Sequence, residues 1–450
     1  MKRLLAALLA SGVFASPAPA AAEAPRTAYR AAKLLDVDSG RYVYDPVIVV
    51  EGGRIVRVGS GLAVPDGIPL VDFGDAILLP GLIDAHVHLG GGPDAATRSQ
   101  TRNVLHAARA AQHSLYAGFT TLRSMGGPAY SVIALRDAIN DGDIVGPRIL
   151  DAGALVAVTG GHCSGPRVYR PEIASTAEGV ADGPDELRRT TRKLIKYGAD
   201  FIKACITGGF VSGTDPNQVQ FAEDEVRAVI DTAHGLGRKV AIHAHGADGI
   251  RLAARLGADS IEHGTLIDDE GIAAVKKGSV FIVPTVKVMA SSVEKAKKAG
   301  ASEGTLAALA AARDAQKRNL AKAYARGVVF AFGTDFTQDG SNATEFSALL
   351  ELGLTPLQAI QTATVHAAQL LGLSERIGKV APGYFADFIA VQDDPLRNVR
   401  ALEKVVVVVK NGELVRNDLA PTPLLRRAAL AATGESADRE DHGHSHDHAH

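Results

Sequence analysis

Cysteine is scarce in this chain of 450 residues, and neither sign of charge is in excess. The only two cysteines are Cys163 and Cys205, which excludes a framework of several disulfides and leaves stabilisation to the core. The 48 basic and 50 acidic residues are mixed along the chain. Because no basic stripe is present, nothing indicates nucleic acid as a partner. We expect a small-molecule substrate that is neutral or weakly charged.

Long apolar runs are also missing after the first residues. Residues 1–22 are typical of a signal peptide, with Lys2 and Arg3 before an apolar run of about 12 residues and small residues at Ala18 and Ala20. A membrane anchor is the alternative, but a spanning helix needs about 20 apolar residues. We therefore expect a periplasmic or secreted protein with no membrane contact after signal cleavage.

The chain is long enough, and with 46% apolar residues apolar enough, to bury a large core. From residue 80 to residue 379, apolar β-rich runs alternate with helical patterns, as in parallel βαβ units. The eight candidate strands are Ile83–His88, Thr120–Ser124, Arg148–Ala154, Phe201–Ile206, Lys239–His245, Ser260–His263, Val280–Pro284 and Val328–Thr334. This α/β pattern favours a (β/α)8 TIM barrel over an open doubly wound sheet.

The two flanks of this region share a different pattern. Residues 29–79 and 380–418 contain short β-branched runs separated by glycines, which predicts hairpin strands. We expect the two flanks to form one small composite β-sandwich. Residues 432–450 form a His-rich segment with no apolar face, which we expect to be a flexible tail. This tail either binds metal ions loosely for the active site or has no function.

Metal-binding residue types recur where the predicted barrel strands end, which is where barrel enzymes place their reactive groups. They are His86 and His88 on the first strand, Lys203 on the fourth, His243 and His245 on the fifth, His263 on the sixth and Asp335 after the eighth. Residues two apart in a strand face the same way, so each His-x-His pair can reach one cation. So many ionisable groups at one barrel mouth would be costly to bury without a metal.

Seven segments in order, PGLIDAHVHLG, DFIKACITGG, VAIHAHG, SIEHGT, FGTD, TPLQAIQTATVHAAQLLGL and IGKVAPGYFADFIAV, carry a family resemblance. Over residues 30–416 the chain resembles the amidohydrolase superfamily, on the branch of imidazolonepropionase-like proteins and prolidase-type dipeptidases, and is similar to ochratoxin-degrading amidohydrolases. The resemblance implies a (β/α)8 barrel with a terminal β-sandwich. It also implies a site with two Zn²⁺ ions bridged by a carboxylated lysine.

Carried onto this chain, the resemblance assigns the metal ligands individually. His86, His88 and Asp335 would hold the more buried ion, His243 and His263 the more exposed one, and carboxylated Lys203 would bridge them. An unmodified lysine ammonium has no lone pair and cannot bind a cation, whereas a carbamate oxygen can. His245 in place of His243 is the alternative ligand, and other divalent metals are alternatives to zinc.

The expected reaction is attack of a metal-bound hydroxide on an amide carbonyl, with Asp335 as general base and then acid. His162, in the segment VTGGH, and His245 would contact the substrate or its transition state. Arg167 and Arg170 follow on the same loop and could bind a free carboxylate. Cys163 follows His162 in this loop, and Cys205 lies two residues after Lys203 on the neighbouring predicted strand. A disulfide between the two cysteines is therefore a further hypothesis.

The resulting hypothesis is an exported zinc-dependent hydrolase of dipeptides or N-acyl amino acids, with ochratoxin-like amides as a side activity. The alternatives are a cyclic-amide hydrolase like imidazolonepropionase, a deaminase, and a non-catalytic metal-binding protein. The last is disfavoured because metal storage needs no general base such as Asp335. We expect a homo-oligomer, since relatives often assemble.

Overall fold

The computed structural model describes residues 25–90, 98–127, 130–164, 178–210, 214–335 and 340–420. The predicted signal peptide and the His-rich tail lie outside these residues. None of the helices in the described ranges combines the length and apolar character that a membrane span requires.

Short strands occupy the first part of the described chain. They are β1 (Arg26–Arg30), β2 (Lys33–Asp36), β3 (Arg41–Tyr44), β4 (Pro46–Glu51), β5 (Arg54–Ser60), β6 (Leu70–Asp72) and β7 (Ile77–Pro80). Strand β4 is apolar and almost wholly buried; it lies between β5 and β1 in its sheet, and Ile48 and Val50 belong to an apolar cluster.

The central region alternates strands with helices, as the sequence predicts. Its strands are β8 (Leu82–Val87), β9 (Phe119–Ser124), β10 (Arg148–Asp151), β11 (Ile202–Cys205), β12 (Val240–Ala244), β13 (Ser260–His263) and β14 (Phe281–Val283). Its helices are α1 (Gln100–Tyr116), α2 (Ser131–Asn140), α3 (Gly183–Lys196), α4 (Glu223–Gly235), α5 (Ala247–Leu256), α6 (Asp269–Gly278), α7 (Val286–Lys298), α8 (Glu303–Ala325), α9 (Glu345–Glu351), α10 (Pro356–Gln361) and α11 (Ala367–Leu371).

All strand pairs assigned among β8 to β14 are parallel, in the orders β10-β9-β8 and β11-β12-β13-β14. A parallel bridge between Val156 and Ala204 links the two groups. Helices cover both groups, so the strands are buried on both faces and consist of continuous apolar runs interrupted by the polar residues of the site. The chain therefore has an α/β fold.

The eighth predicted strand, 328–334, does not form a regular strand. It still bonds to its expected neighbours, since Ala331 donates its backbone N–H to Ile282 and Phe332 accepts one from Ala85. Gly333 allows close approach here, because a Cβ at this position would lie 2.7 Å from the Cβ of His86. The segment therefore lies between β14 and β8 without full strand geometry.

Three strands near the other end complete the described structure: β15 (Phe388–Val391), β16 (Val407–Lys410) and β17 (Glu413–Asn417). They join the early strands in a sheet ordered β17-β16-β15-β7-β2-β3, beside a second sheet ordered β5-β4-β1-β6. Both sheets contribute to one apolar cluster that includes Ile48 and Val50 from one sheet and Phe388 and Val409 from the other. The two flanks of the chain thus share a core.

Candidate metal centre

The parallel register brings the predicted ligands to the carboxyl ends of the central strands. His86 is the fifth residue of β8, and His88 follows the end of that strand. Across β11, β12 and β13, Cys205 pairs with His243, and Ala244 pairs with His263. The imidazoles of six histidines lie here, with several ring centroids 4.3 to 5.4 Å apart.

The first group of donors consists of His86, His88 and Asp335. Oδ1 of Asp335 lies 3.5 Å from Nε2 of His86 and 3.3 Å from Nε2 of His88. Zinc binds imidazole nitrogen and carboxylate oxygen at about 2.0 to 2.2 Å, which places two tetrahedral ligand atoms about 3.3 Å apart. The three atoms are therefore spaced as ligands of one divalent ion.

Hydrogen bonds to the far sides of these rings determine which nitrogen is free. The backbone oxygen of Gly126 lies 3.3 Å from Nδ1 of His88, and a carboxylate oxygen of Glu262 lies 2.7 Å from Nδ1 of His86. Because both oxygens can only accept, Nδ1 carries the hydrogen in each ring. The Nε2 lone pairs are left facing Asp335, as metal binding requires.

The second group of donors consists of His243, His245 and His263, whose candidate ligand atoms all lie within 4.8 Å of one another. Burial lowers the pKa of each ring, to about 3 for His245, so all three are neutral near pH 7 and keep a lone pair for a cation. Nε2 of His243 lies 3.2 Å from the oxygen of Gly208 and must carry the hydrogen, so its Nδ1 is free. Nδ1 of His245 bonds instead to Thr265 at 2.8 Å.

Lys203 is buried on β11, with 2% of its surface exposed. Burial lowers the pKa of its amine to about 8, although the charges of Glu262 and Asp335 oppose the shift. Within the described ranges no carboxylate oxygen lies within 4.0 Å of its Nζ to form an ion pair. A buried amine with a lowered pKa is partly neutral near pH 7.5, and only a neutral amine can react with CO2. The environment of Lys203 therefore fits the carbamate that the resemblance implies.

His162 is brought into the same site from the loop after β10. Its ring lies 4.3 Å from that of His243, and burial lowers its pKa to about 4. Gly209 makes room for it, because a Cβ there would lie 2.6 Å from Cε1 of His162. Arg167 and Arg170, the predicted carboxylate-binding residues, lie outside the described residues.

Three of the residues at the strand ends have backbone angles that are unusual for residues other than glycine. His263 has a φ of 74°, Thr285 of 43° and Asp335 of 59°. These left-handed turns come where β13, β14 and the eighth segment end, and the hydroxyl of Thr285 lies 2.7 Å from Nδ1 of His263. Strained backbone of this kind is typical of functional sites, where surrounding contacts maintain it.

Comparison with known proteins agrees with this geometry. The family model described as "Amidohydrolase family" matches residues 77–415. The chain belongs to the amidohydrolase family.

The relatives of this amidohydrolase have names that refer to different substrates. An ochratoxinase of Aspergillus niger is 32% identical over 371 residues, covering 76% of this chain and 76% of the relative. An imidazolonepropionase of Ralstonia nicotianae is 26% identical over 417 residues, covering 85% of this chain and 95% of the relative. A crystal structure of a Xaa-Pro dipeptidase with bound methionine in its active site has a TM-score of 0.82 and 35% identity, covering 87% of this chain and 100% of the other.

These similarities confirm the resemblance inferred from the motifs. The amidohydrolase is a hydrolase that acts on carbon–nitrogen bonds of small-molecule substrates.

The sequence pattern did not single out a buried ion pair beside the candidate metal centre of this amidohydrolase. Arg123 and Glu262, both buried, are 2.9 Å apart, and Arg123 also donates to the backbone oxygen of Ala85. Burial alone would raise the pKa of Glu262, but Arg123 and the hydrogen bond from His86 lower it to about 2. The sequence did contain an indication of this pair. Glu262 directly precedes His263 in a buried strand, where a charge without a partner is costly.

Asp84 is a second group that the sequence did not single out. Its buried carboxylate accepts hydrogen bonds from the backbone of His86, from the backbone and hydroxyl of Thr334, and from the amide of Asn342. Asp84 thereby joins the ligand-bearing strand β8 to the turn that carries Asp335. Its position two residues before His86, on the same side of the strand, was the available signal.

Proposed function

We propose that this amidohydrolase is a binuclear metal-dependent hydrolase of dipeptides or N-acyl amino acids. The observation that carries the proposal is the convergence of two donor groups, one around Asp335 and one around His263, near the buried Lys203, whose charge acts on histidines of both groups. A binding protein needs ligands but no base. Here one of the ligands, Asp335, is a carboxylate that keeps 22% of its side chain exposed and can also act on a bound water.

His86, His88 and Asp335 would hold one divalent ion, His243 and His263 the other, and carboxylated Lys203 would bridge them. When bound, two zinc ions or similar metals supply activation of water near neutral pH and polarisation of the carbonyl group. The donor set of imidazole and carboxylate suits zinc, and the buried amine of Lys203 suits carbamate formation.

Asp335 is the base in this proposal. Burial would raise its pKa, but the adjacent imidazoles of His86 and His88 hold the pKa well below the usual range of an aspartate. It is therefore ionised at neutral pH and can take a proton from the attacking water. The same carboxylic acid then returns that proton to the nitrogen that leaves.

His162 and His245 are the proposed substrate contacts. Both rings are neutral near pH 7, since burial lowers their pKa values to about 4 and about 3. A neutral imidazole can donate one N–H to a carbonyl or carboxylate oxygen without adding charge to the cation site. Arg167 and Arg170 remain proposed carboxylate ligands, as the sequence predicts.

Two relatives support dipeptides and N-acyl amino acids as the substrate class. One is named a Xaa-Pro dipeptidase and the other an ochratoxinase. Ochratoxin-like amides are accordingly a proposed side activity. The named imidazolonepropionase supports the alternative of a cyclic-amide hydrolase.

We also propose that the central strands close into a (β/α)8 barrel over residues 80–379, with a β-sandwich from residues 29–79 and 380–418. The bonds from Ala331 to Ile282 and from Ala85 to Phe332 support closure, and the shared core of the two flanking sheets supports the sandwich. Periplasmic or secreted localisation and a homo-oligomeric state complete the proposal. A disulfide in the described structure supports an oxidising compartment.

The decisive experiment is hydrolysis of a dipeptide and N-acyl amino acid library by protein reconstituted with Zn²⁺, repeated after chelation. We expect turnover that needs the metal and a preference for substrates with a free carboxylate. Absence of hydrolysis of any amide by protein shown to hold two ions per chain would overturn the proposal. Turnover of cyclic amides alone would favour the imidazolonepropionase-like alternative.

A further inference from the structure

A disulfide joins the loop that carries His162 to the strand that carries Lys203. Cys163 and Cys205 are bonded, and their Cα atoms are 6.2 Å apart. Cys163 is the next residue after His162, and Cys205, two residues after Lys203, is the buried last residue of β11. The bond therefore spans 42 residues of sequence and ends beside two residues of the proposed site.

The ring of His162 is held by few contacts of its own. Its Nδ1 is buried and, in the described part of the chain, has no hydrogen-bond partner. Its backbone N–H donates to the side chain of Gln220 at 2.8 Å, and its ring packs against Gly209 and His243. The position of this ring must therefore come largely from its backbone, to which the disulfide is attached one residue away.

The backbone at that attachment point is also constrained. Cys163 has a φ of 72°, a left-handed conformation that a residue other than glycine or asparagine rarely adopts without support. The two neighbouring loop bonds are short-range, from Gly161 to Val158 and from Ser164 to Gly161. The disulfide thus adds to the backbone a covalent side-chain link between this turn and the central sheet.

We propose that the Cys163–Cys205 disulfide is a positioning element, which holds the ring of His162 against His243 of β12 so that hydrolysis depends on the oxidised state of the enzyme. This inference rests on the proposed function, because it assigns His162 a contact with the substrate. Reacting groups must be placed to within about 1 Å, and an error of that size can lower the rate about 100-fold. Without the bond, the turn would move more freely, while the ligands on β8, β12 and β13 would stay in place.

The test begins with breaking the bond in two ways. Cys163→Ser removes it and leaves Cys205 unchanged in the core. A water-soluble phosphine reduces it in the wild-type chain: the phosphine gives two electrons and becomes a phosphine oxide with an oxygen from water, and the two sulfurs become thiols. A phosphine is chosen because dithiol reductants bind zinc. Titration should find two thiols per denatured chain after reduction and none before.

We expect either treatment to lower kcat/KM by about tenfold to 100-fold while two metal ions remain bound. His162→Ala should cause a loss of similar size, and the double variant His162→Ala with Cys163→Ser should be no worse than His162→Ala alone. Phosphine treatment of Cys163→Ser, the matched control for the reagent, should change nothing. Full activity in the reduced wild type, additive losses in the double variant, or loss of metal on reduction would each overturn the proposal.

Hydrogen exchange gives a measurement that does not depend on turnover. Reduction should speed exchange in residues 158–164 and leave residues 240–245 unchanged, and equal exchange in both states would contradict a positioning role. If the oxidised wild type with two metals hydrolyses no amide, the proposed function fails. The exchange experiment still decides whether the disulfide orders the loop.

Discussion

Glu262 receives the Nδ1 hydrogen of His86 at 2.7 Å and pairs through its other oxygen with the guanidinium of Arg123 at 2.9 Å. All three side chains are buried beneath the proposed metal centre. The charge of Arg123 keeps the carboxylate ionised, and the ionised carboxylate keeps the hydrogen of His86 on Nδ1. The ion pair thus presents the Nε2 lone pair of His86 to the site.

Replacing Glu262 by glutamine should weaken both metal binding and the fold. The amide removes the negative charge that fixes the ring of His86 and leaves Arg123 buried without a counter-ion. We expect metal affinity to fall by about 10- to 100-fold and the free energy of unfolding to fall by about 3 to 5 kcal/mol. Chelator competition and urea denaturation measure the two effects.

The matched control for this variant is Glu223→Gln. Glu223 pairs with Arg227 and Arg255 on the exposed surface, where such pairs contribute little, and we expect both quantities to stay near the wild-type values. If Glu262→Gln lost stability but bound zinc as tightly as wild type, the carboxylate would have no role in presenting His86.

Removing the side chain of Lys203 should deprive both ions of their shared ligand. We expect Lys203→Ala to bind fewer than two ions per chain and to lose at least about 100-fold in kcat/KM. A small carboxylic acid such as propionate should restore part of the metal content, since its oxygens can occupy the place of the carbamate. Metal analysis after gel filtration measures this, and two tightly bound ions in Lys203→Ala would refute the bridging role.

Substitution of His243 on β12 and of His245, the residue directly after that strand, should have different effects. The hydrogen bond from Nε2 of His243 to Gly208 leaves its Nδ1 for a metal, so His243→Asn should lower the metal content. His245→Asn should instead raise KM by about tenfold with metal content unchanged, as expected for loss of one substrate hydrogen bond. The reverse result would assign the ligand to His245.

Glu345 should make the metal-free protein less stable as pH rises. Burial raises the pKa of its carboxyl group from 4.5 to about 8, although the backbone N–H groups of Val286 and Lys287 oppose the shift. The folded state keeps this proton when the unfolded chain has lost it. Its contribution is therefore complete below about pH 4.5 and is lost as pH rises to about 8, by up to about 1.4 kcal/mol per pH unit.

Denaturation of chelator-treated protein from pH 5 to pH 8 tests this effect. We expect Glu345→Gln, which cannot titrate, to have a flatter dependence on pH than wild type. Glu351→Gln, which changes an exposed ion pair with Lys317, should keep the wild-type dependence. The same slope in wild type and Glu345→Gln would show that Glu345 is ionised in the folded state.

Much of the candidate site was predictable because its residues lie at regular places in regular elements. Side chains alternate along a strand, so His86 and His88 had to face one side, and the carboxyl ends of parallel strands meet at one edge. The strand pattern therefore predicted that Lys203, His263 and Asp335 lie at the same edge of the central strands. The structure agrees in grouping the histidines, and the comparisons confirm the family.

What the sequence determined was the order of the strands and the kinds of residue at their ends, since both follow from local periodicity. Only the tertiary structure decided which nitrogen of each ring is free, because this depends on partners such as Glu262, which is 176 residues from His86 in the chain. It also decided that His162 lies against His243, and that residues 328–334 do not form a regular strand before Asp335. Such contacts arise from packing between distant segments, and no periodicity within one segment encodes them.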